Sequence, residues 1–421
     1  MSEQAPPLVR PFRGLRPAPH YAAEVAAPPY DVVSTAEAVE LARGRPLSFL
    51  HISKPEIDLP PGTDPFAPEV YAKGAENMAR MIGDGILVRD EGPRYYVYRM
   101  GTGDHLQTGI VGGGSVAAYD ANRIRRHELT RPDKEDDRVR QIEAVGAETG
   151  PVFTFHRPDA RLAAVTARAV ASAPAYQVEL AGTRHGLWVV DDQAEISAID
   201  AAFDAMDVIY IADGHHRSAA ASRVAASCAA ADPAADGTRP YDYFLIVSFP
   251  ADEVQILDYN RVVKDLAGLE VAAFLARVAE NFDLGESAAP VKPDAPHAFG
   301  MYLGGRWYAM SLKEPPSAGA APVARLDISL LQERLLGPVL GIGDPRIDKR
   351  IDFIGGVRGL EGLEARVDGG EAAVAFALYP PSVADLMGVA DAGGVMPPKS
   401  TWFEPKLADG LVSLVVEHYP T

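Results

Sequence analysis

The chain predicts a mixed α/β (α+β) protein on three observations. Short apolar runs rich in β-branched and aromatic residues, such as Tyr243–Phe249, alternate with Ala-rich runs such as 158–173. The first kind reads as strand and the second as helix. One strand, Val208–Ile211, turns through Asp213-Gly-His-His-Arg217 into an Ala-rich helix from Ser218 onward. The 421 residues also exceed one ordinary core and suit two or three domains.

The strand-to-helix turn organises the rest. A chain that passes through Gly214 into a helix aims backbone N–H groups and the positive helix end at whatever lies above it. His215, His216 and Arg217 on that turn make an anion site, for which phosphate is the natural ligand. Capping alone does not require so many polar residues in a row.

Taken in order, residues 1–22 are Pro- and Arg-rich and are expected to run extended along the surface. Pro28-Pro-Tyr-Asp31 is a stiff turn that fixes where Tyr30 and Asp31 point; a structural turn and a site contribution both fit it. Ser34 opens a helix over 34–43. Leu47–Ile52 reads as a strand carrying His51, and Pro55 ends it. A helix follows over 69–84, then a hairpin of Tyr95–Met100 and His105–Val111 around Gly101-Thr-Gly-Asp104. Gly112-Gly-Gly114 is not a nucleotide-binding Walker loop, because no Gly-Lys-Ser/Thr follows.

Arg123-Ile-Arg-Arg-His-Glu-Leu-Thr130 leads into an amphipathic helix over 133–146, with Gly150-Pro151 expected to stop it. Arg125, Arg126, Lys134 and Arg138 around Glu128 favour its ionised form. An ionised carboxylate near a phosphate turn is a candidate general base; a solvated ion-pair network fits the same residues equally well. Val152–Phe155, Tyr176–Leu180 and Gly186–Val190 read as strands, and 194–206 as a helix. Beyond a linker at 231–240, strands near 298–303 and 306–312 and helices near 265–282 and 327–336 form a further α/β region. Near the end, Met396-Pro-Pro-Lys-Ser-Thr-Trp-Phe-Glu-Pro-Lys406 is a rigid loop offering cations and hydroxyls. The regions divide as 1–112, 113–232 and 240–421.

Composition excludes several classes. The balance of 40 basic and 58 acidic residues gives −18, which argues against nucleic acid, since the only dense basic cluster, Arg123–His127, is short. A local pocket of cations can still hold a small anion. One cysteine, Cys228, excludes intrachain disulfides and cysteine zinc sites. No apolar run is long enough for a bilayer, and the N-terminus lacks a secretory pattern, so a cytoplasmic protein is expected.

Four blocks together resemble the bacterial domain-of-unknown-function 1015 family: Pro28-Pro-Tyr-Asp31; Arg126-His-Glu128 with Lys134 and Asp137-Arg138; Asp213-Gly-His-His-Arg217; and Met396-Pro with Lys399-Ser-Thr401 and Pro405-Lys406. One departure is Asp258-Tyr-Asn-Arg261, where that family reads Pro-Thr-His-Arg. The central part, about 115–230, further resembles the ParB/sulfiredoxin-like superfamily, whose helix-starting turn holds nucleotide phosphates. The resemblance implies such a core with additional N- and C-terminal α/β regions. The sulfiredoxin-like branch carries a reactive Cys in this turn, where this chain has His215. The ParB-like branch carries a DNA-binding helix-turn-helix, which this chain lacks. The free serine kinase branch has a His-Glu pair before a helix and a later Asp-Gly-x-His-Arg turn, and His127-Glu128 and Asp213–Arg217 follow that order.

What the last resemblance implies is a phosphotransferase. It would move a phosphoryl group from ATP or ADP, with Mg²⁺, to the hydroxyl of a small molecule, foremost free L-serine. Glu128, His127 and Asp213 are then the catalytic residues, with Asp213 also the metal ligand. Gly214, His215, His216, Arg217 and Ser218 hold the phosphates. Arg126, Tyr30, Asp31, Lys134, Arg138, Lys399, Ser400, Thr401 and Lys406 hold the substrate. A ParB-like nucleotide-binding regulator without catalysis, and a metal-dependent hydrolase using His215, His216 and Asp213, are the alternatives.

Overall fold

Strand Ile209–Asp213 lies near one edge of a nine-stranded sheet in a computed structural model that describes residues 6–416. Across the sheet the order is Ile124–Arg125, Ile209–Asp213, Val152–His156, Tyr243–Pro250, His105–Ser115, Tyr95–Thr102, Thr183–Val190 and Tyr176–Leu180, with Val9–Arg10 added against His105–Ser115. The two-strand pairings of Ile209 with Ile124 and of Ile246 with Val152 are parallel; the others are antiparallel. The mixed α/β class expected from composition and patterning is the observed one.

The first unit runs to Val254 and resumes at Pro405; the second is Gln255–Glu404. The expected boundary at 112/113 falls inside strand His105–Ser115, and the linker at 231–240 lies within the first unit. In the first unit, Ile110, Val152, Ile199, Phe203, Ile209, Ile211 and Phe244 form the core under the large sheet. The returning segment supplies Ser413–Val415 to a second, four-stranded sheet with Leu87–Arg89, Gly14–Pro17 and Ala147–Glu148. In the second unit, a six-stranded sheet packs Phe274, Phe299, Met301, Leu335 and Phe376 in its core.

Four local expectations change. Leu47–Ile52 is not a strand: Leu50–Ser53 is a helical turn. A short apolar run carries too little periodicity to separate strand from helix. The Gly112–Gly114 run does not open a new block but continues strand His105–Ser115, because its neighbours need the space. A Cβ on Gly112 would meet Val9 Cγ1 at 2.5 Å, and one on Gly114 would meet Ile246 Cγ2 at 2.8 Å. Helix Pro132–Val145 is stopped by Gly146, whose φ of +69° makes a left-handed cap, before Gly150 is reached. Leu8, in a bend, and Val9, in strand Val9–Arg10, are fully buried rather than on the surface; Met1–Ala5 lie outside the described residues. No helix of the described residues is long and apolar enough to cross a membrane.

Candidate functional site

Gly214 sets the geometry. Its φ is +99°, a region that a side chain disfavours. A Cβ there would lie 3.2 Å from the Arg217 guanidinium and 3.3 Å from Val152 Cα. This residue lets strand Ile209–Asp213 turn straight into helix His215–Ala231. The helix therefore starts at His215, ahead of the expected Ser218. His215, His216 and Arg217 make up its first turn, where free N–H groups point outward.

Neighbouring residues on a helix diverge by about 100°, so the two histidines separate. His215 is buried and meets His127 edge to face at 4.5 Å between ring centroids. Its Nδ1 stands 3.8 Å from Glu128 Oε2. His216 turns away, and its Nε2 accepts the Arg131 N–H at 3.1 Å. Burial pushes His127 down to about 4 and His215 well below the usual imidazole range. Both rings are neutral at pH 7, so the His215–Glu128 approach is a contact of a dipole with a carboxylate. Neither His127 ring nitrogen makes a well-formed hydrogen bond, although the Ile211 backbone lies close enough to favour its protonated form.

The cations are held tightly. Arg217 donates to the Pro151 carbonyl and faces Asp31 at 3.4 Å and Asp213 at 3.8 Å. Burial opposes its charge, but Asp31 and Asp213 outweigh that and keep it protonated. Lys406 Nζ donates to Asp213 Oδ2 at 3.2 Å. Burial would raise Asp213, yet Lys406 and Arg217 hold it well below the usual carboxylate range. The stiff Pro28–Asp31 turn delivers Asp31 to Arg217 and lays the Tyr30 ring on Arg138, whose guanidinium carbon is 3.8 Å from its centroid.

Other expected residues face elsewhere. Arg126 stacks on Tyr119 at 5.1 Å and Lys134 on Phe66 at 5.3 Å. The Ser218 hydroxyl is fully buried and donates to the His215 carbonyl at 3.0 Å, which braces the first turn. Lys399, Ser400 and Thr401 belong to the second unit. There Lys399 Nζ lies 5.8 Å over the Tyr259 ring and Ser400 donates to the Pro397 carbonyl. The loop that reads as one piece in sequence is thus divided between units after Glu404.

Asp409 was missed. It is 1% exposed, beside Gly150 and Arg217. Burial pushes it up to about 7 against the pull of Arg217. Nothing in Leu407-Ala-Asp-Gly410 distinguishes it from an ordinary turn acid.

The arrangement can receive an anion at the first turn of the helix, with a carboxylate alongside. Among the described residues, one donor atom each from His127, Glu128 and His215 lie within 4.8 Å of one another. Two imidazoles and a carboxylate suit zinc or manganese better than magnesium.

A family profile described as protein of unknown function DUF1015 matches residues 9–329. The chain belongs to the DUF1015 family. No curated protein matches this DUF1015 chain. Among solved structures it is similar to free serine kinase in complex with AMP, at 13% identity and TM-score 0.34 over 70% of this chain and 86% of that one. A C-terminally truncated SbnI from Staphylococcus aureus is similar at 12% identity and TM-score 0.37, over 70% and 84%. A conserved hypothetical protein from Pyrococcus furiosus is similar at 14% identity and TM-score 0.35, over 74% and 97%.

Proposed function

We propose that this DUF1015 protein is a cytoplasmic phosphotransferase. It moves a phosphoryl group from ATP or ADP to a small hydroxyl compound, with free L-serine the first acceptor to test. One observation carries the reading: Glu128 stands 3.8 Å from His215, on the helix turn that also presents Arg217. In this reading the carboxylate and the cationic helix start share one ligand space. The order of His127-Glu128 and Asp213–Arg217, like that of free serine kinases, selects serine.

In this reading the acceptor oxygen forms a bond to the terminal phosphorus while the bridging P–O bond to the leaving nucleotide breaks. Glu128 takes or orients the hydroxyl proton. N–H groups after Gly214, with Arg217 and Lys406, balance the phosphate charge without having to reorganise. His127 keeps His215 in place by packing. Mg²⁺ would neutralise phosphate oxygens, and the Asp213 carboxylate suits it in donor chemistry; Lys406 shares that carboxylate at 3.2 Å. Arg138, stacked on Tyr30 beside Asp31 and Arg217, remains a candidate substrate contact.

The test is purified protein with ATP or ADP, Mg²⁺ and serine, scored for O-phosphoserine. Glu128→Gln should cut turnover by about 10²-fold or more and change nucleotide affinity by less than about tenfold. Nucleotide binding with no acceptor consumed would instead support a regulator. A metal-dependent hydrolase keeps one supporting observation, the His127, Glu128 and His215 grouping. The grouping of His215, His216 and Asp213 has less support, since His216 Nε2 accepts the Arg131 N–H. Stoichiometric zinc or manganese in purified protein, without phosphoserine formation, would favour that reading.

A further inference from the structure

The second unit contains a cavity of about 130 Å³ lined by Arg261, Ile328, Ser329, Gln332, Glu333, Leu336, Pro345, Ile351, Pro397 and Pro398. Most of the lining is apolar, and its one cation, Arg261, is 2% exposed. The Arg261 guanidinium donates to the carbonyls of Tyr259, Pro398 and Lys399. Those bonds use three of its five N–H groups. Among the described residues no Asp or Glu forms an ion pair with it, and burial pushes it down to about 9. Its guanidinium carbon also lies 5.0 Å from the Phe353 ring centroid, and a buried cation met by carbonyls and a ring, with no carboxylate, is costly to maintain. Its neighbours, by contrast, are built with care. The wall segment Gln332–Leu336 is a π-helix, closed by Gly337 N–H to Gln332 O at 2.9 Å. Such turns are rare and gather at functional sites. The Gln332 side chain is anchored to Ile342 O at 2.6 Å, which fixes that wall.

We infer that this cavity is a second ligand site, for a small carboxylate with a short apolar body. Its carboxylate pairs with Arg261, and its carbon chain lies among Ile328, Leu336, Ile351 and the prolines. The volume is roughly four times the ~30 Å³ of a liquid water, so the ligand has about half a dozen heavy atoms. Exposed Glu333, also in the lining, offers a partner for an ammonium group, so short α-amino acids are one source and plain carboxylates the other. The inference does not depend on the phosphotransferase reading, since every residue it uses lies within Gln255–Glu404.

The test is calorimetry and thermal shift on the full chain with propionate, butyrate, L-2-aminobutyrate, L-valine and inorganic phosphate. At least one carboxylate should bind and raise the melting temperature. Arg261→Gln should abolish this, and Ser329→Leu, which fills the cavity and leaves the Arg261 carbonyl contacts in place, should weaken it at least tenfold. Glu333→Gln should weaken the amino acids alone if they are the source, and nothing if plain carboxylates are. Absence of carboxylate binding, binding indifferent to Ser329→Leu, or phosphate binding that Ser329→Leu removes would each overturn the inference.

Discussion

Asp409 is a buried acid beside Arg217, placed to tune the proposed anion site. Asp409 sits at about 7 because burial disfavours its charge. Below that pH it is neutral and leaves Arg217 to Asp31, Asp213 and an incoming phosphate. Above it, a further negative charge competes for the same guanidinium. Nucleotide affinity should therefore fall as pH rises from 6 to 8, and Asp409→Asn should flatten the profile; a profile unchanged by the substitution would show that Asp409 does not act on the site. The linked stability effect has the same sign. An unfolded Asp releases its proton near 3.9, whereas the folded one keeps it to about 7. The native state holds the extra proton, so stability declines with rising pH across that window, by at most ~1.4 kcal/mol per unit.

The strand-turn-helix from Ile209 to Ala231 depends on one left-handed residue. Gly214→Ala should cost about 1–2 kcal/mol from the backbone alone, and its Cβ would press on Arg217 and Val152. The expected result is a melting temperature lower by a few degrees together with weaker nucleotide binding. Retained affinity would mean that the turn is not the phosphate cradle. Other elements were legible because local chemistry specifies them. Ser34 and Glu37 form a reciprocal cap on helix Thr35–Ala42, and the Thr102–His105 turn joins two paired strands rich in aromatic and β-branched residues. Leu50–Ser53 was not legible, because tertiary bonds such as Phe49 N–H to Val25 O shape it.

At the scale of the molecule, the first unit is interrupted by the second. Gln255 and Glu404 are paired across antiparallel strands, so the two ends of the insertion lie about 5 Å apart. Replacing Gln255–Glu404 with a short Gly-Ser linker should leave a folded first unit that binds nucleotide as the full chain does. Ending the chain at Glu404 should do the opposite. That truncation removes Lys406, Asp409 and strand Ser413–Val415, which pairs with Gly14–Pro17 and Ala147–Glu148. Nucleotide titration of the two variants separates these outcomes.

Sequence alone determined the mixed α/β class, most helices and strands, the family, and the strand-to-helix turn through Gly214, because caps, glycines and hydrophobic period act over a few residues. It also named Asp31, Glu128, Arg217 and Lys406 as candidates. Tertiary structure alone decided that Asp31, Asp213, Lys406 and Asp409 gather around Arg217, that His215 and His216 part company, and that the 396–406 loop is shared between units. Those outcomes rest on contacts between residues far apart in the chain, which no local pattern encodes.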